Sequence, residues 1–186
     1  MKTRKFLALA VLILGFSFTV SAQKTVMVGG AAMYPNKNII ENAVNSKDHT
    51  TLVAAVKAAD LVETLKGKGP FTVFAPTNEA FDKLPQGTVE TLLKPENKKM
   101  LQTILTYHVV AGKMNASDIA KAIKAGKGKG KAVLKTVGGG TLTAWMMGKD
   151  LYISDESGNK AKVTISDVNQ SNGVIHVVDT VLLPKM

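Results

Sequence analysis

The stretch FTVFAPTNEAFDKLP, Phe71 to Pro85, decides how this chain is read. Its first residues are apolar or β-branched, as a buried strand requires. Pro76 closes the strand because it cannot donate a ladder hydrogen bond. Thr77 or Asn78 then offers a capping oxygen for a helix of a turn or two, with Phe81 and Leu84 facing inward. A strand that meets a helix through polar Thr77, Asn78 and Glu79 is either an active site or a structural corner. On both readings Phe71, Phe74 and Phe81 belong to the core.

Working outward, the upstream segment is helical. Asp48 or Thr50 can cap it, and Leu52, Val53, Val56 and Ala59 recur at helical spacing before Gly67 and Gly69-Pro70 break the pattern. Gln23 to about Asn36 is short, contains glycine and has no clear period, so residues 23–35 are expected to form a poorly ordered leader. Downstream, Gly87 to Leu93 reads as a short helix, and Pro95 and Glu96 open a longer one. On that helix Met100, Leu101, Ile104, Leu105 and His108 are assigned to one face. Asn115 or Ser117 caps the next helix, which ends at Gly126. After Gly130 the period changes to two. Ala132 to Val137, Thr141 to Met147, Leu151 to Ser154, Lys162 to Val168 and Gly173 to Leu183 read as strands, separated by Gly138-Gly139-Gly140, Gly148, Ser157-Gly158-Asn159 and Asn172-Gly173. Helices in the first half and strands in the second make an α+β pattern.

The first residues have a different composition. Lys2, Arg4 and Lys5 precede an apolar run from Phe6 to about Val20, and Val20-Ser21-Ala22 supplies small residues for cleavage. That order reads as a secretory signal over residues 1–22. The run is short for a bilayer-spanning helix of about 20 residues, so no stable membrane insertion is expected after cleavage. The protein is then secreted, whether to the periplasm, the cell surface or beyond. It has no cysteine, which removes disulfides, thiol nucleophiles and thiolate metal sites from consideration.

The 24 Lys and Arg residues against 14 Asp and Glu give a net charge of +10, which favours an anionic partner. Export argues against nucleic acid, and aromatic residues at 5% are few for a base-stacking surface. An acidic polysaccharide is the better match. GKGKGK, Gly126 to Lys131, has the wrong flanking elements for a phosphate loop and no Ser or Thr after its last lysine. It stands as a basic loop whose Lys127, Lys129 and Lys131 are candidates for contact with a polyanion.

Catalytic constellations are weak. Thr77, His108 and Asp179 could furnish a triad, but no nucleophile-elbow spacing marks a hydroxyl. His49 looks exposed beside a cap. His108 follows Tyr107 at a helix end, where a buried imidazole would need hydrogen-bond partners, and His176 lies in an alternating strand. No metal-ligand spacing is visible and no cofactor is expected. Trp145-Met146-Met147, with Met114, is core material or the wall of an apolar ligand site.

Three segments in order carry a specific resemblance: FTVFAPTNEAF (Phe71 to Phe81), LTYHVVAGKM (Leu105 to Met114) and SNGVIHVVDTVLLP (Ser171 to Pro184). Together they resemble the signature segments and the central Tyr-His motif of the fasciclin domain. The likeness spans about residues 36–184. It implies a β-wedge or sandwich of strands with helices packed on one side. It also implies a non-catalytic role in cell adhesion, through a cell-surface or matrix protein or an acidic polysaccharide. In animal relatives the Tyr-His region is implicated in receptor contact, which here maps onto Tyr107 and His108. Some relatives carry carotenoids, so an apolar-ligand carrier is the alternative, and a secreted hydrolase is less favoured. Phe71, Phe74, Pro76, Thr77, Asn78, Phe81, His176 and Asp179 are then the structural motif, with Asn78 expected to reach His108 or the last strand.

Overall fold

A computed structural model of the chain describes residues 25–126 and 130–185. The expected signal over 1–22, and Lys127 and Lys129 of the basic loop, lie outside the described residues. The first elements are a hairpin of β1 (Val26–Val28) and β2 (Ala31–Met33), followed by α1 (Ile39–Ala43), α2 (Thr50–Ala58) and α3 (Val62–Lys66). Then come β3 (Phe71–Pro76), α4 (Asn78–Asp82), α5 (Thr88–Leu92), α6 (Lys98–Tyr107), β4 (Val109–Ala111) and α7 (Ala116–Ala125). The rest is all strand: β5 (Lys131–Lys135), β6 (Thr141–Met147), β7 (Asp150–Ser154), β8 (Lys160–Gln170) and β9 (Gly173–Val178).

Seven of these strands form one sheet in the order β4-β3-β9-β8-β7-β6-β5. All neighbours are antiparallel except β3 and β9, which run parallel with Phe74 opposite His176. The sheet curls until its two ends nearly meet. Val110 bridges Thr136, and the Val137 N–H donates to the Val109 carbonyl at 2.7 Å. A bulged β8 makes this curvature possible, because its register shifts between Val163 and Ile165 and again before Val168. Asp167, with φ 58°, sits in that bulge, and its carboxylate accepts from the Ala116 N–H at 2.7 Å. The bend in the sheet is thereby tied to the start of α7.

The core has two parts. One lies between α1, α2, α3 and α6 and the face of the sheet that carries Val73, Ala75, Ile175 and Val177. The other fills the curled strands, where Ile119 and Ile123 of α7 meet Leu134, Leu142, Ile153 and Val178. Each fully buried Val, Leu or Ile contributes roughly 1.5–3 kcal/mol relative to exposure. The expected wedge with helices on one side is therefore a nearly closed sheet, with helices along one flank and α7 plugging its interior.

Several expectations change. Residues 25–35 are not a loose leader: Val28 and Met33 are each only 3% exposed and join the first core. The hairpin is too short to show a period, yet each strand contributes a buried side chain. Met100 is 41% exposed, because it stands one residue off the row formed by Leu101, Ile104 and Leu105. The last strand stops at Val178 rather than Leu183: after Asp179, whose N–H still donates to the Lys162 carbonyl, the chain turns to side-chain acceptors. The Leu182 N–H goes to His108 Nε2 and the Leu183 N–H to Asp155 Oδ2.

Candidate interaction site

At the strand–helix joint, Thr77 leaves β3 in extended conformation, and its hydroxyl oxygen accepts from the Ala80 N–H. Asn78 turns the other way from the expected direction. Its Oδ1 accepts from the Thr51 N–H at 3.1 Å and the Thr50 hydroxyl at 3.2 Å, while Nδ2 donates to the Lys47 carbonyl at 2.8 Å. It reaches neither His108 nor β9. It replaces the cap that α2 lacks, because His49 at the N-cap makes no side-chain capping bond. Glu79 is held below the usual carboxylate range by its own backbone amide and by Thr77. Phe74 is fully buried and Phe81 is 9% exposed, as expected, whereas Phe71 at the strand start is only partly buried.

The Tyr-His pair lies at the end of α6. Tyr107 is buried in the second core, its hydroxyl donating to the Thr141 carbonyl at 2.7 Å and accepting from the Glu156 N–H at 3.2 Å. The close approach requires glycine on the facing turn. A Cβ at Gly140 would come within 2.6 Å of the Tyr107 ring, and one at Gly138 within 2.9 Å of the Tyr107 nitrogen. Burial pushes the Tyr107 phenol up. His108 is 3% exposed, with Nδ1–H donating to the Ile104 carbonyl at 2.8 Å and Nε2 accepting from Leu182 at 3.0 Å. Those partners define one neutral tautomer, and burial lowers the imidazole below its ordinary range. The expectation that Tyr107 and His108 touch a receptor is corrected by this burial. Neither ring has surface to offer; both hold the C-terminal segment and the β6–β7 region in place.

His176 serves the same structural purpose on the opposite side. It stacks on Phe74 with ring centroids 5.7 Å apart, and its Nε2–H donates to the Met114 carbonyl at 2.9 Å. The Met114 N–H in turn donates to the Thr72 hydroxyl, which donates to the Gly112 carbonyl. Burial lowers His176 as well. Asp179 accepts from the Lys162 N–H at 2.8 Å and from the Thr180 hydroxyl at 3.0 Å, fixing the exit from β9.

The chemistry available here is limited by that occupancy. Both ring nitrogens of His108 and of His176 are engaged with backbone groups. Thr77, His108 and Asp179 are each committed to separate backbone partners, so the triad reading fails on geometry. A Ser–His contact escaped the sequence reading: Ser46 Oγ lies 2.9 Å from His49 Nδ1. Its signal was only the local i, i+3 spacing. Both side chains are buried, which corrects the view of His49 as exposed, and burial lowers its pKa. The Gly29 backbone covers Ser46 so closely that a Cβ there would strike its hydroxyl. Both residues line an apolar cavity beneath the hairpin, and their burial leaves the pair little open surface.

An apolar cavity of about 80 Å³ lies beneath the hairpin, lined by residues including Val28, Met33, Leu52, Val56, Val73 and Leu105. It is well short of the roughly 300–1,000 Å³ of a small-molecule site. The residues assigned to a ligand wall are elsewhere. Met114 packs against the second core, and Trp145 and Met147 stand on the outer face of the sheet, with Met147 60% exposed. Among the described residues no group of three or more His, Cys, Asp or Glu is placed to hold a metal ion. No described helix is long and apolar enough to cross a membrane. Lys131 is exposed at the start of β5.

A curled mixed sheet and a helical flank are joined by signature residues whose polar atoms are engaged with backbone groups. The chain belongs to the fasciclin domain family, whose profile matches residues 47–184. It is 47% identical over 166 residues to Protein sll1483 of Synechocystis sp., covering 89% of this chain and 84% of that protein. It is 34% identical over 169 residues to the cell surface glycolipoprotein MPB83 of Mycobacterium bovis, covering 88% of this chain and 68% of the relative. Its fold is similar to that of a FAS1 domain pair from the insect cell adhesion molecule Fasciclin I. The TM-score is 0.71 and the identity 19%, over 80% of this chain and 51% of that one.

Proposed function

We propose that this protein is a secreted, non-catalytic module that mediates interaction at the cell surface or in the extracellular matrix. Its partner is a surface or matrix protein or an acidic polysaccharide. One observation carries this reading: the polar residues of the family motifs are consumed in holding the fold. Asn78, His108, His176 and Asp179 each satisfy backbone groups of a neighbouring element. The names of the relatives support the setting, since MPB83 is a cell surface glycolipoprotein and Fasciclin I a cell adhesion molecule. The small volume of the apolar cavity disfavours the carrier reading.

The test is a glycan and matrix-protein binding array probed with residues 23–186, run beside a panel of esterase, glycosidase and peptidase substrates. Saturable binding to a surface polymer or matrix protein is expected, with no turnover above a heat-denatured control. Turnover that disappears in Ser46→Ala while the fold is retained would replace this reading with a hydrolase.

A further inference from the structure

The outer face of the second half of the sheet carries a chemistry that the fold itself does not use. Strand pairing aligns four residues in one row across β5, β6, β7 and β8: Lys131, Trp145, Tyr152 and Lys162. Trp145 and Tyr152 stack with centroids 5.7 Å apart and planes 20° from parallel, and both remain partly exposed. The next row reads Val133, Thr143, Ser154 and Lys160, with Val133 67% exposed. The opposite face of the same strands is closed by Leu142, Ala144, Ile153 and Ala161, all 0% exposed. These aromatics therefore contribute little to the core, and their place on the outer face is left to explain.

We infer that this face binds an acidic polysaccharide, which lies across the strands along the Lys131–Lys162 row. The inference rests on the interaction-module reading and names the site at which it operates. Three properties favour that polymer. The apolar C–H faces of sugar rings are attracted to aromatic rings, whose π-systems carry negative charge. The Thr143 and Ser154 hydroxyls stand one row away, where sugar hydroxyls need partners. Lysines stand at both ends of the first row, about 14 Å apart across three strand spacings, and at one end of the second. Among the described residues, the ion pairs on this face involve only Lys162, which shares Asp150 at 2.7 Å. Lys131 and Lys160 are exposed and supply positive charge for carboxylate or sulfate groups.

A lipid surface is a poorer match. The β6–β7 turn at the edge of this face is Gly148-Lys149, with Asp150 opposite the exposed Met147, and the rows beside it carry lysines.

The experiment uses residues 23–186 with alginate, dextran sulfate, neutral dextran and phosphatidylglycerol vesicles as probes. Trp145 is the sole tryptophan, so its emission reports this face directly. A saturable emission change with alginate or dextran sulfate is expected, with none from neutral dextran or vesicles. Affinity electrophoresis should show about a tenfold loss of affinity in Trp145→Ala, equivalent to one aromatic contact with its buried area. The double variant Lys131→Gln/Lys160→Gln, which leaves the aromatic pair intact, should lose a similar factor. Lys94→Gln/Lys99→Gln/Lys113→Gln, with its changes elsewhere on the surface, should bind as wild type. Unchanged melting midpoints would show that each variant is folded. Equal losses in the distant lysine variant would mean diffuse charge attraction and would overturn the site. A response to vesicles alone would overturn it in favour of lipid. Failure of both acidic polymers to bind would end this inference, while protein hits on the array would still sustain the interaction module.

Discussion

Phe74 and Asn78 lie four residues apart, and the sequence treats them very differently. Phe74 was legible, because an aromatic in a run that ends at proline belongs inside, and the structure buries it fully. Phe74→Ala should cost about 3–5 kcal/mol. Phe71→Ala, at the partly buried strand start, should cost less. Urea unfolding of the two variants side by side measures the difference, and equal midpoints would contradict the burial assigned here. The partners of Asn78 were not legible, since Lys47 and Thr51 lie some thirty residues earlier and no local spacing points to them. Asn78→Ala leaves the Thr51 amide without its cap and should destabilise by about 0.5–2 kcal/mol. Asn78→Asp keeps the accepting oxygen and should recover part of that loss. Faster hydrogen exchange at Thr51 in the alanine variant, restored in Asp, is the local reading that a general loss of stability would not give.

At the scale of elements, legibility followed length and periodicity. α6 and α7 have ten residues each, and β6 has seven, so their apolar spacing repeats enough to be recognised. β1, β2 and β4 have three residues each and show no period at all. They exist because pairing and burial hold them, as Val28 and Met33 show beneath the hairpin. Removing residues 23–35 should therefore destabilise the domain and open the apolar cavity under α2. Burial of two large side chains at roughly 1.5–3 kcal/mol each sets the scale of the loss. Lower denaturant midpoint and new binding of an apolar dye are expected; an unchanged midpoint would return the segment to the status of a leader. The three glycines at 138–140 were rightly seen as a turn, but their reason lies across space. Two of them admit Tyr107.

Across the whole molecule, His49, His108 and His176 are all buried, and burial lowers each below its ordinary value. The unfolded chain then takes up protons that the folded one refuses. Stability should be full above about pH 6.5 and fall as pH drops below it, by at most about 1.4 kcal/mol per pH unit for each histidine. Glu79 and Glu156, held below the usual range by hydrogen bonds, add to the loss only below about pH 4.3. Urea midpoints between about pH 8 and about pH 5.5 isolate the histidine effect. A flat profile would mean that the imidazoles protonate without leaving their sites. By itself the sequence determined the α+β class, the family, the strand–helix corner and most strands, because these depend on local period, turn residues and three ordered motifs. Only the tertiary structure decided that Tyr107 and His108 are buried braces, that Asn78 caps a distant helix, and that Trp145 faces outward. Alternation along a strand says which residues share a face, but which face meets the core is settled by how the sheet curls and what packs inside it.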